Sequence, residues 1–136
     1  MREIFMTEKK WTDTEILATN PLELAFVGDA VFSLFVRETL ANNHNTNTNV
    51  LSKQASKIEN AGNQYKIFRK IESELSEFET ELCHRARNAN IHSKAKNYSV
   101  TEYIYATAFE ALLGYLYLTQ QKERLNKILN LSMENL

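Results

Sequence analysis

Two stretches of this chain are apolar on nearly every side. Residues 24–36 read Leu-Ala-Phe-Val-Gly-Asp-Ala-Val-Phe-Ser-Leu-Phe-Val, and residues 103–118 read Tyr-Ile-Tyr-Ala-Thr-Ala-Phe-Glu-Ala-Leu-Leu-Gly-Tyr-Leu-Tyr-Leu. Helices apolar all round occupy the centre of a fold, because they have no face to leave in water. Both runs are shorter than the ~20 residues a bilayer requires, and each carries a carboxylate near its middle. They read as core helices rather than membrane spans.

Start signals frame these runs. Asn20-Pro21-Leu22-Glu23 offers an N-cap, a proline at the first helical position and a glutamate able to close a capping box, which predicts a helix to about Leu40. A polar loop over Asn42 to Asn49 precedes a helix from about Val50 to Ala61, with Val50, Leu51, Ala55 and Ile58 on one side. Gly62 is the expected break, and a further helix covers about Asn63 to Ser73. Ser76-Glu77-Phe78-Glu79 is a second capping box, opening a helix to about His84 or Arg85. Asn88 to Asn97 reads as an irregular basic loop. Ser99-Val100-Thr101-Glu102 is a third box and opens the second apolar helix, through about Thr119. A last amphipathic helix spans about Glu123 to Leu131. No segment alternates at period two, so the expectation is an all-α fold without a sheet.

Composition agrees with this reading. The chain has 136 residues, which suits one domain over 1–136, and its three glycines and one proline favour long helices over many turns. Net charge is −1, yet the charges are segregated. Residues 71–82 hold five glutamates and no base, whereas residues 84–96 hold Arg85, Arg87, Lys94 and Lys96 with His84 and His92 and no acid. Such segregation can be a solvated face, or a footprint for nucleic acid. Cys83 is the single cysteine, which excludes a disulfide framework and a cysteine-based zinc site within one chain and fits a reducing cytoplasm. Lys9 and Lys10 precede Trp11 in a segment with no signal-peptide pattern.

The candidate chemistry lies in the two apolar helices. Asp29 is the only charge in one and Glu110 the only charge in the other. Acids are almost never buried without a partner. Gly28 and Ala30 flank Asp29, Ala111 follows Glu110, and Gly114 stands one turn beyond it. Small neighbours let helices approach closely. If the two helices cross there, the carboxylates face each other and need a cation, most simply Mg²⁺. The alternative is that each acid pairs with an arginine or lysine from elsewhere. A di-iron bundle is a poor fit, since Leu113 stands where its Glu-x-x-His motif needs histidine.

These same residues carry a resemblance. Leu24 to Val31 resembles the signature helix of ribonuclease III domains, centred on Phe-x-Gly-Asp, and Thr107 to Leu118 is similar to that family's second catalytic helix. Arg85-Ala86-Arg87-Asn88-Ala89 is similar to the Arg-Gly-Arg-Asn-Ala loop of its Mini-ribonuclease III branch, which has no double-stranded-RNA-binding domain. The resemblance covers about residues 20–120. It implies a ribonuclease III-type helical domain in which Asp29 and Glu110 are catalytic metal ligands for Mg²⁺, with Mn²⁺ able to substitute. It implies Arg85, Arg87, Asn88, Lys94 and Lys96 as RNA contacts. It also implies a homodimer that cuts double-stranded RNA, by family habit precursor large-subunit (23S) ribosomal RNA. Phe26, Phe32 and Phe35 are candidate interface anchors or core residues.

Several positions depart from the pattern. Leu22, Ala25 and Thr107 stand where larger members have further acids, as is usual in the short branch. Ala86 replaces a glycine, Asn90 a lysine, Ser52 a histidine and Ile104 an arginine. Two rival classes remain: a non-catalytic RNA- or ribosome-binding module of the same fold, and a helical interaction bundle with structurally paired acids. Retention of both acids argues against the first and the loop motif against the second.

Overall fold

Seven helices order the chain in a computed structural model that describes residues 9–43, 47–89 and 99–134. They are α1 (Asp13–Leu17), α2 (Pro21–Asn42), α3 (Thr48–Glu59), α4 (Ala61–Ile71), α5 (Glu77–Ala89), α6 (Val100–Leu118) and α7 (Lys122–Ser132), with a 3₁₀ turn at Glu72–Glu74. No strand occurs among the described residues, so the all-α expectation holds. No helix among them is long and apolar enough to cross a membrane.

α6 is the axis of the fold. It packs along α2 and against α4, α5 and α7. Its residues Ala106 to Leu116 are all buried except Glu110. Phe32 of α2 and Phe109 of α6 meet edge to face at 5.1 Å, at the centre of the core. Phe32 is therefore a core residue and not an interface anchor. Phe35 packs against the core while partly exposed, whereas Phe26 is 81% exposed.

Local chemistry sets most helix ends. Asn20 Oδ1 accepts from the Leu22 amide at 2.9 Å, ahead of Pro21. Both serine boxes close: the Glu79 amide donates to Ser76 Oγ at 3.1 Å and the Glu102 amide to Ser99 Oγ at 3.1 Å, with each glutamate accepting from its serine's amide. The Ser76 box has a second function. Glu79 is buried and takes a two-pronged bond from Arg124 of α7, at 3.0 and 2.7 Å. Burial disfavours its charge, but Arg124 and the Ser76 amide outweigh that and hold the carboxyl below its usual range.

Three ends differ from the sequence-based expectation. The α3–α4 break falls at Asn60 rather than Gly62, which lies inside α4. The Asn60 amide serves both helices: its nitrogen donates to the Ser56 and Lys57 carbonyls while its oxygen accepts from the Asn63 amide. α5 continues to Ala89, so Arg85, Arg87 and Asn88 are helical and the expected loop does not begin at Asn88. Ala86, in place of the pattern's glycine, is fully buried and favours that extension. α1 is the third difference. Thr12 and Glu15 form a capping box, Ile16 enters the core, and the Trp11 amide donates to the Leu118 carbonyl at 2.9 Å.

Candidate active site

Gly28 of α2 lies against the main chain of Glu110. A Cβ built on Gly28 would stand 1.6 Å from the Glu110 carbonyl oxygen, and one on Gly114 would stand 1.9 Å from the Leu24 carbonyl oxygen. Real Cβ atoms do not come that near, so the two glycines let α2 and α6 touch backbone to backbone. The residue after Gly28 is Asp29. The crossing therefore brings Asp29 and Glu110 side by side at one edge of the contact.

The two acids differ in environment. Asp29 is exposed and Glu110 is partly buried. Burial, then hydrogen bonding to Asp29 and its charge, push the Glu110 carboxyl up to about 8. Gln64 of α4 acts in the opposite sense by favouring the ionised form, and Glu59 adds a further negative charge nearby. Among the described residues the ion pairs join Lys9 to Glu15, Arg69 to Glu72, Arg124 to Glu79 and Lys127 to Glu74. Among the described residues neither Asp29 nor Glu110 has a basic partner, so no arginine or lysine described there neutralises either acid.

Two carboxylates side by side, with no basic partner among the described residues, suit a hard divalent cation with oxygen ligands. No set of three metal-ligating side chains gathers among the described residues. The donor set thus fits an ion held by two protein carboxylates with positions left open. A shallow depression faces the pair, lined by Leu22, Ala25, Phe26, Asp29, Tyr103, Thr107 and Glu110. Leu22, Ala25 and Thr107, where larger members of the resembled family carry acids, line this same depression.

The basic residues fall around Tyr105, on α6. Arg87 donates to the Tyr105 hydroxyl at 2.8 Å and stacks on its ring at 4.9 Å, and Arg69 of α4 stacks on the same ring at 5.6 Å. Arg87 and Asn88 both approach the His84 ring, at 3.0 and 3.2 Å. Arg85 turns the other way and donates to the Leu17 carbonyl at 3.1 Å, tying α5 to α1. Each arginine keeps one buried nitrogen without a partner among the described residues, Nη1 of Arg85 and Nε of Arg87. Lys94, Lys96 and Asn90 lie outside the described residues. Ile104 is partly exposed and Ser52 exposed.

Sequence reasoning misses Gln64 and Arg69. Gln64 has a legible signal, a polar residue on an otherwise apolar stripe with Ile67, Phe68 and Ile71. Arg69 has none, because its meeting with Tyr105 depends on how α4 lies against α6.

A helical domain whose paired acids sit at a glycine crossing defines a class, and comparison with known proteins agrees. Residues 22–121 match the Ribonuclease III domain family. The chain is 42% identical to the Mini-ribonuclease 3 of a Thermoanaerobacter species, over 90% of this chain and 87% of that one. It is 38% identical to the Mini-ribonuclease 3 of Clostridium tetani, over 96% of this chain and 87% of that one. A crystal structure of a Fusobacterium nucleatum protein superposes with a TM-score of 0.81 at 34% identity, covering 88% of this chain and 96% of the other. The chain belongs to the ribonuclease III family, on its Mini-ribonuclease 3 branch.

Proposed function

We propose that this protein is a cytoplasmic, Mg²⁺-dependent endoribonuclease that hydrolyses phosphodiester bonds of double-stranded RNA as a homodimer, with precursor 23S ribosomal RNA as its substrate. The observation that carries this reading is the meeting of Asp29 and Glu110 at the Gly28–Gly114 crossing, with no base paired to either among the described residues. Asp29 and Glu110 would hold the ion, with Mn²⁺ able to substitute. When bound there, the ion would make a water more acidic and stabilise charge on the scissile phosphate. Asp29 is exposed and would meet the incoming strand, while the more buried Glu110 is fixed on the helix that centres the fold. Without further acids from Leu22, Ala25 or Thr107, the rest of the ion's shell falls to water and RNA phosphate. The direct experiment incubates purified protein with perfect duplex RNA in Mg²⁺ and in EDTA. Cleavage in Mg²⁺ alone is expected, and undiminished cleavage in EDTA overturns the reading.

A duplex offers two strands, and a two-fold dimer presents one site to each. Exposed Phe26 and Leu34 on α2, at 81% and 46% exposure, support an apolar face for that pairing. Light scattering at micromolar concentration should give twice the 15.8 kDa chain mass, and a monomer would count against the dimer.

Arg85, Arg87, Asn88, Lys94 and Lys96 are assigned to the RNA backbone, since A-form duplex is read through phosphates and 2′-hydroxyls. The charge segregation of this segment supports the assignment, because residues 84–96 carry basic side chains and no acid. Binding of the double variant Arg85→Ala/Arg87→Ala to duplex RNA across a salt series should be weaker. Its log–log slope should be shallower by roughly one for each phosphate the variant no longer neutralises. Equal affinity with parallel lines would move the RNA path elsewhere, for instance along Lys53, Lys57 and Lys66.

A further inference from the structure

The buried face of α4 reads Gln64, Ile67, Phe68, Ile71, so an amide stands where the helical period calls for an apolar residue. Gln64 is only 3% exposed. Its Nε2 donates to the Glu59 carbonyl at 2.9 Å, anchoring the amide on the last turn of α3. The corner beneath it is fixed by the double cap of Asn60 and by Asn63, whose Nδ2 donates to the Ile58 carbonyl at 2.7 Å. From this anchor the amide stands beside the Glu110 carboxyl group. An amide nitrogen carries two hydrogens, so bonding to Glu59 leaves the second for the carboxylate. Gln64 Oε1 is buried with no partner. A methionine or leucine would fill the same space without that cost. Packing alone therefore does not account for the residue.

We propose that Gln64 is a positioning residue of the carboxylate pair: its amide, anchored on the Glu59 main chain, holds the Glu110 carboxylate in the orientation that a divalent cation shared with Asp29 requires. The inference rests on the metal reading given under Proposed function. Outer hydrogen bonds of this kind orient metal ligands, and their removal typically weakens metal affinity by about 10–100-fold. Glu59 acts here through its backbone carbonyl, so its side chain is dispensable to the arrangement.

The test measures Mn²⁺ binding to the full chain without RNA, by calorimetry, for wild type, Asp29→Asn and Gln64→Met. Gln64→Met keeps the length of the side chain but cannot donate. It should bind Mn²⁺ about 10-fold more weakly, whereas its affinity for duplex RNA in EDTA should match wild type. In parallel, the Gln64 side-chain amide resonances of wild-type protein should shift on Mg²⁺ addition, with the midpoint of metal binding. If wild type binds no Mn²⁺, or Asp29→Asn binds it equally well, the metal reading itself fails. If wild type binds and Gln64→Met binds as tightly, only the role of Gln64 is overturned. Should Gln64→Met not fold, the wild-type resonances decide, and amide signals unmoved by Mg²⁺ overturn the proposal.

Discussion

Asp29→Asn and Glu110→Gln should each abolish cleavage of duplex RNA while leaving the helical fold intact. Both substitutions keep side-chain size and remove charge, so packing at the crossing is preserved. The expected drop is roughly 10³-fold or more, because a metal ion contributes several kcal/mol of charge stabilisation and each 1.4 kcal/mol is a factor of ten. Glu110→Gln has a second consequence of opposite sign. In the folded, metal-free chain the Glu110 carboxyl is pushed up to about 8 from its ordinary value of 4.5. The folded state then holds a proton that the unfolded chain releases, so stability falls as pH rises from about 4.5 toward 8. Removing the ionisation removes that slope. In EDTA at pH 8, Glu110→Gln should be more stable than wild type by roughly 1–3 kcal/mol. Mg²⁺ should stabilise wild type and leave the variant unchanged. Thermal melts at pH 5 and pH 8, with and without Mg²⁺, read all of this. Wild-type cleavage rates in either variant would remove that residue from the metal site.

Gly28→Ala should be the most damaging single-methyl substitution in the chain. In an ordinary helix, alanine in place of glycine stabilises by about 1 kcal/mol. Here the added carbon would meet the Glu110 carbonyl oxygen at 1.6 Å and the Gly114 amide nitrogen at 2.8 Å. Both are backbone atoms and cannot rotate away. α2 and α6 must separate, loosening the Phe32–Phe109 packing and drawing Asp29 away from Glu110. Overpacking a core costs about 1–3 kcal/mol where side chains can adjust, and more is expected where they cannot. That clash outweighs the gain in helix propensity. A net destabilisation of about 3 kcal/mol is a large share of a stability of ~5–15 kcal/mol and corresponds to a melting temperature lower by about 10 °C. Cleavage at a temperature where the variant is still folded should fall further than the reduced stability explains. A Gly28→Ala protein as stable and active as wild type would mean that the helices do not touch at this point.

The helical class and most helix starts were legible in the sequence because they rest on interactions within a few residues. Asn20 ahead of Pro21, Ser76 with Glu79 and Ser99 with Glu102 bond to their own helix ends, and the caps fall where the pattern put them, Asn20 through the Leu22 amide rather than a box with Glu23. Asp29 and Glu110 stood out for the same kind of reason: a lone charge in an apolar run is visible without knowing its neighbours. Thr12 and Glu15 carried an equally local signal for α1, which the expected helices left out.

What only the tertiary structure decided are relations between distant segments. That Gly28 seats on the Glu110 carbonyl, and so sets the two acids together, depends on where α2 crosses α6. Gln64 was readable as a misplaced polar residue, but its purpose depends on α4 presenting it to Glu110. Arg85 and Arg87 are two residues apart in one basic run, yet one turns to the Leu17 carbonyl and the other to Tyr105. Residues two apart on a helix point in directions about 200° apart, and only the packed neighbours determine what each of them meets.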